Sequence, residues 1–146
     1  NIQFVTDYIL KKEGDETPII LAGHSLGGAS SIMAARNDSK IKGCINLDGG
    51  LIGDKKTEGL KTPLLMIFSD RSQSDKPMIK EWTDLHENSN RIGDSHIGVI
   101  KGAGHNDFSS EPLLDWMLGK DTLYGAIKTH VVASRAMVQF MNNICR

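Results

Sequence analysis

The stretch Ile19-Ile20-Leu21-Ala22-Gly23-His24-Ser25-Leu26-Gly27-Gly28-Ala29 holds a serine in Gly-x-Ser-x-Gly, after an apolar run and before a run of small residues. A serine on so sharp a strand-to-helix turn takes strained backbone angles, and glycines two before and two after it let the turn close. Gly23 and Gly27 fill those positions. The turn lifts the Ser25 hydroxyl above the sheet edge and points the first helical N–H groups at the same spot. The Leu26 N–H is then placed to stabilise a developing oxyanion. A bare five-residue pattern also occurs in ordinary loops. The strand before it and the helix after it single this one out as a nucleophile elbow.

A serine hydroxyl is a poor nucleophile until a base takes its proton, and the base needs an acid to orient it. Five histidines compete for the first role. His24 sits beside the serine and is expected to face away on the elbow. His86 and His130 fall in helical patterns, where a structural or exposed histidine is the ordinary outcome, and His96 begins a strand. His105 lies in Lys101-Gly102-Ala103-Gly104-His105-Asn106-Asp107-Phe108, read as a flexible loop directly after the last strand. In a parallel sheet that end is the carboxyl edge, which also carries Ser25. His105 is therefore the candidate base, against the plainer reading of a surface-loop histidine.

Three carboxylates compete for the acid. Asp48 follows the second strand in Asn46-Leu47-Asp48-Gly49-Gly50, Asp70 follows the third in Phe68-Ser69-Asp70, and Asp75 lies a few residues on. All can reach the carboxyl edge, and spacing does not choose between them. Asp107 reads as a cap or turn residue, because it precedes the helix-start signature Ser109-Ser110-Glu111-Pro112.

The elements that must position these groups alternate along the chain. Ile2, Val5 and Ile9, with Phe4 and Tyr8 alongside, give a helix near 2–12, stopped by Lys11, Lys12 and Gly14. Ile19 to Ala22 reads as a strand buried on both faces. A helix of small residues runs from Gly27 to about Arg36. Gly43 to Leu47 and Leu64 to Phe68 are the next strands, a helix near 76–88 follows with Met78, Trp82 and Leu85 on one face, and His96 to Ile100 is a fourth strand. Ile127 to Ile144 is the clearest helix. Val132, Ala133, Ala136, Met137, Phe140, Met141 and Ile144 form its apolar face. Gly49 to Thr62 and Asn88 to Ser95 read as polar surface connections. Strand alternating with helix gives an α/β fold with a mostly parallel sheet flanked by helices.

Composition narrows the function. Hydrophobic residues are 39% and charged residues 24% of 146, and seventeen basic against eighteen acidic side chains leave a formal charge of −1. That balance excludes a broadly basic nucleic-acid binder or a polybasic membrane-surface protein. No apolar run approaches the roughly 18 residues of a membrane span. Cys44 and Cys145 make neither a disulfide framework nor a thiolate metal cage. With no His-Glu-x-x-His and no phosphate loop, no metal or organic cofactor is expected. The chain opens at Asn1 inside a helical pattern, and four strands make a small sheet. Both lead us to expect a piece of a longer protein.

Gly-His-Ser-Leu-Gly-Gly, then Cys-Ile-Asn-Leu-Asp-Gly, then Pro-Leu-Leu-Met-Ile-Phe-Ser, then Ile-Lys-Gly-Ala-Gly-His-Asn-Asp-Phe resemble, in that order, the plasma-type platelet-activating-factor acetylhydrolases and their bacterial relatives. The resemblance runs from residue 1 to about 145 and includes the closing helix. It implies residues 1–146 as a single, incomplete α/β-hydrolase domain, the carboxyl-terminal part of that fold, beginning in the helix before the nucleophile strand. The family's Leu-Asp-Gly element falls on Asp48, which it prefers to Asp70 as acid, and its Gly-x-x-His-x-x-Phe element falls on His105 and Phe108. The implied activity is carboxylic ester hydrolysis on a short-chain or phospholipid-type ester, with Ser25, Asp48 and His105 catalytic. Family members are longer, and their first strands, with the loop donating a second oxyanion N–H, precede the elbow. A preceding portion, or a second copy paired through the first strand's uncovered edge, is the expected partner. The rivals are a dienelactone-hydrolase or polyester-hydrolase type enzyme using Asp70, and a non-catalytic piece that binds a partner through that edge.

Overall fold

The computed structural model describes residues 2–70, 74–119 and 124–146. Its order is α1 (Ile2–Glu13), β1 (Ile19–His24), α2 (Leu26–Asn37), β2 (Ile41–Leu47), β3 (Leu64–Ser69), α3 (Lys76–Asn90), β4 (Ser95–Ile100), a 3-10 turn (His105–Phe108), α4 (Glu111–Met117) and α5 (Tyr124–Ile144). The four strands form one sheet in the order β1-β2-β3-β4, with each neighbouring pair parallel. Among the described residues, no helix is long and apolar enough to cross a membrane.

Side chains alternate across a strand with period two, so each central strand feeds two cores. Cys44 of β2 and Leu64, Met66 and Phe68 of β3 join Leu10 of α1, Ile32 and Ala35 of α2 and Trp82 and Leu85 of α3 on one face. Phe68 and Trp82 stack there with ring centroids 3.5 Å apart. Ile45, Leu65 and Ile67 face the opposite way, onto Ala133 and Phe140 of α5 and onto Phe108. Every residue of β3 is buried, as an uninterrupted apolar run covered on both faces requires.

Several elements depart from the sequence expectations. β1 is not buried on both faces: only Ile19 is buried, the rest are half-buried and Ala22 is exposed. Among the described residues β1 pairs with β2 alone, so one side of its apolar run lacks a covering strand. On α1 the buried side chains are Thr6 and Leu10, whereas Phe4, Val5 and Tyr8 are exposed. The face that packs thus lies beside the one that apolar spacing picks out. Val132 of α5 is likewise exposed, while Ala133 and Phe140 are buried. The connection from residues 49 to 62 is no mere surface loop, since Leu51 and Leu60 are core residues. Asn88 to Asn90 belong to α3.

The strand ends are what matter for the site. β1, β2 and β3 run straight into Ser25, Asp48 and Asp70, and β4 runs into the segment that carries His105. Parallel strands bring all four to one edge.

Candidate active site

Ser25 ends the β1 ladder by donating its N–H to the Leu47 carbonyl at 2.9 Å, then turns with φ 54° and ψ −122°. A non-glycine residue in the positive-φ region is strained. The turn closes because Gly23 lacks a side chain, whose Cβ would collide with the Gly27 backbone. Gly27 itself is a correction to the motif reading. A Cβ there would meet nothing within 4 Å, and the close approach falls on Gly28, against the Asn46 side chain and the Gly23 carbonyl. α2 starts at Leu26, so the Leu26 N–H is among the first-turn donors that lack an intrahelical acceptor.

Asp48 is built the same way one strand over. Its N–H donates to the Ile67 carbonyl at 2.8 Å, and its φ is 51°. The buried Asn46 side chain fastens this turn, donating from Nδ2 to the Gly49 carbonyl and accepting the Gly49 N–H at Oδ1, both at 2.9 Å. Trp82 Nε1–H also reaches the Gly49 carbonyl, at 3.2 Å. The Asp48 side chain is fully buried. A buried carboxylate needs donors, and Ser69 provides two: its N–H to Oδ1 and its hydroxyl to Oδ2, each at 2.8 Å.

His105 links the two turns. Its Nδ1 lies 2.7 Å from Asp48 Oδ2 and its Nε2 lies 3.0 Å from Ser25 Oγ. A carboxylate can only accept, so Nδ1 carries the proton and Nε2 offers its lone pair to the serine hydroxyl. The segment around it includes a 3-10 turn (His105–Phe108) and is tied at several points. Lys128 Nζ donates to the Lys101 carbonyl (3.3 Å), Asp70 Oδ2 accepts the Gly102 N–H (3.0 Å), Asp107 Oδ2 accepts the Gly104 N–H (2.8 Å), and His130 Nε2 donates to the Ser109 carbonyl (3.1 Å). His24 does not face away. Its Nε2 is 2.9 Å from the His105 carbonyl oxygen, and its ring lies against those of His105 and Phe108.

The other candidates separate cleanly. Asp70 latches the segment before His105, Asp75 caps α3 by accepting the Met78 N–H at 3.1 Å, and Asp107 holds the 3-10 turn. His86 bonds the Ser95 hydroxyl and His96 bonds Asp94. The sequence reading missed Asn46, Ser69 and His24. The one local signal was a polar residue at or next to a strand end inside an otherwise apolar run.

A parallel sheet flanked by helices, with a serine, a histidine and a carboxylate hydrogen-bonded in series at its carboxyl edge, defines the α/β-hydrolase class. The chain matches the family model described as platelet-activating factor acetylhydrolase, isoform II, over residues 3–145, and it belongs to that family. It is also similar to a solved structure of a ferulic acid esterase from Streptomyces cinnamoneus, at 30% identity and a TM-score of 0.53. That match covers 73% of this chain and 29% of the esterase, so the chain spans less than a third of that relative's length.

Proposed function

We propose that this protein is a carboxylic ester hydrolase working by acyl transfer through Ser25. The observation that carries the proposal is the unbroken series Ser25 Oγ, His105 Nε2, His105 Nδ1 and Asp48 Oδ2, with contacts of 3.0 and 2.7 Å. In this reading His105 Nε2 takes the hydroxyl proton as Oγ attacks the ester carbonyl, and the tetrahedral oxyanion forms beside the Leu26 N–H. His105 then gives the proton to the departing alkoxide. Water repeats the cycle on the acyl-enzyme, releasing the acid and restoring Ser25. Asp48 holds the imidazole tautomer and steadies its transient positive charge. An open cavity of about 730 Å³ borders His105 and is lined by Ser69, Met78, Asp107 and Asp115.

Family membership and the esterase neighbour both support a carboxylic ester as substrate, and within that class our reading is a short-chain or phospholipid-type ester. The rival acid, Asp70, is less well supported, since its carboxylate is engaged by the Gly102 N–H. A fluorophosphonate probe tests the proposal. Mass spectrometry should find the adduct on Ser25, and labelling should abolish hydrolysis of p-nitrophenyl acetate. An unlabelled Ser25 in protein that still hydrolyses the ester would overturn it.

A further inference from the structure

We propose that His24 is a positioning residue for this hydrolysis, holding His105 in line with Ser25 by donating its Nε2–H to the His105 carbonyl oxygen. The inference rests on the reading of Ser25, His105 and Asp48 as the reacting set. His24 Nε2 lies 2.9 Å from that oxygen. A carbonyl oxygen only accepts, so Nε2 must carry a proton, as it does in one neutral tautomer and in the imidazolium. The bond therefore survives a change in the charge of His24.

The ring also fills the space between two others. Its centroid is 4.7 Å from that of His105, tilted by 40°, and 6.0 Å from that of the buried Phe108, at 26°. His24 is the last residue of β1 and pairs with Leu47 of β2. One side chain thus ties the strand ends that carry Ser25 and Asp48 to the segment that carries the base.

That tie is needed because of how His105 is mounted. It starts a 3-10 turn of four residues, after Gly102 at φ 82° and Gly104, and nearly half of its own side chain is exposed. The Asp70 and Asp107 latches hold Gly102 and Gly104. The His24 bond is made to His105 itself. Without it, the imidazole can pivot about its link to Asp48 and draw Nε2 away from Ser25 Oγ. A misplacement of about 1 Å at a reacting group costs on the order of 100-fold in rate.

The test compares His24→Gln, His24→Asn and His24→Leu in the full chain, with p-nitrophenyl acetate as substrate. Glutamine carries its amide N–H about as far out as the imidazole Nε2, while asparagine falls short at the Nδ1 position. The two amides are otherwise alike, so they can be compared even if the leucine variant unfolds. His24→Asn and His24→Leu should lower kcat about 10- to 100-fold, with KM nearly unchanged. His24→Gln should recover most of the lost rate. The low-field proton resonance of the His105 Nδ1–H should stay sharp in the glutamine variant and broaden in the asparagine variant. Equal kcat for the glutamine and asparagine variants, or a folded leucine variant as active as the parent, would overturn the inference alone. Undiminished hydrolysis by Ser25→Ala would overturn the reading of the site, and this inference with it.

Discussion

Ser25 and Asp48 occupy the same register position on neighbouring parallel strands, and both have left-handed φ, 54° and 51°. β1 and β2 are paired through His24 and Leu47, and the next residue on each strand leaves the ladder. Each still donates its N–H across to the adjacent strand, to Leu47 and Ile67. The sheet thus ends two neighbouring strands on a positive-φ residue and puts a nucleophile on one and a carboxylate on the other. Aspartate tolerates the left-handed region better than most residues. Serine gains no such allowance. Strain of this kind costs on the order of 1–3 kcal/mol. Ser25→Gly should therefore be more stable than Ser25→Ala by about 1 kcal/mol, reversing the usual order of the two residues, and both should be inactive. Denaturant unfolding of the two variants checks the stability order.

The roles of Asp48 and Asp70 differ enough to be separated by kinetics. Asp48→Asn keeps the shape but offers His105 the wrong tautomer partner, and a loss in kcat of about 10⁴ is expected. Asn at position 70 can still accept the Gly102 N–H, so Asp70→Asn should lose only a few-fold. Ser69→Ala removes the hydroxyl that donates to Asp48 Oδ2, leaving a buried charged oxygen with one donor fewer. That should lower stability by about 1–3 kcal/mol and reduce kcat more than it raises KM. Ester hydrolysis with thermal unfolding on the same preparations tests all three. Equal losses at positions 48 and 70 would return Asp70 to candidacy.

Much of this site is legible in the sequence because its chemistry sits where the pattern changes. Ser25 stands between an apolar strand and a small-residue helix, and His105 follows the last strand. Those positions carry geometric information on their own. The choice of Asp48 over Asp70 does not, since both follow strands and local spacing is blind to which carboxylate faces the base. The family resemblance prefers Asp48, and it is Asp48 Oδ2 that lies 2.7 Å from His105 Nδ1. Ser69, Asn46 and His24 act through partners 21, 3 and 81 positions away. Ser69 and His24 owe those partners to sheet register and chain reversal, which apolar periodicity does not encode. The partial burial of β1 is hidden from the sequence for a related reason. An apolar run shows that a strand can be covered, not that it is.

The glycines of the elbow yield a prediction that runs against the motif. Gly23 and Gly27 look equivalent in Gly-x-Ser-x-Gly, yet an added Cβ collides with backbone at the first and meets open space at the second. Gly27 also lies in the first turn of α2, where alanine is favoured over glycine by up to about 1 kcal/mol. Gly27→Ala should therefore fold with equal or higher stability, while Gly23→Ala should be strongly destabilised or fail to fold. Thermal unfolding of the two variants decides it, and comparable losses in both would show that the two glycines are equally constrained.

Cys44 supplies a pH dependence whose sign can be worked out. Its side chain is buried in the core, and burial pushes the thiol pKa up to about 12, because the thiolate would have to form away from water. In the unfolded chain a cysteine ionises near the reference value of about 8.5. Between those values the native state holds a proton that the unfolded state has released, so stability falls as pH rises. The contribution is complete below the unfolded value and is lost progressively toward pH 12, with a slope of at most about 1.4 kcal/mol per pH unit from this one group. Cys145 is exposed and has no such protection. At pH 8 the native protein should react with one equivalent of a thiol-specific disulfide reagent, at Cys145, and with a second only after unfolding. Cys44→Ala should flatten the alkaline decline in stability while lowering stability at neutral pH. Rapid modification of both thiols in native protein would show that the strand carrying Cys44 is open to solvent.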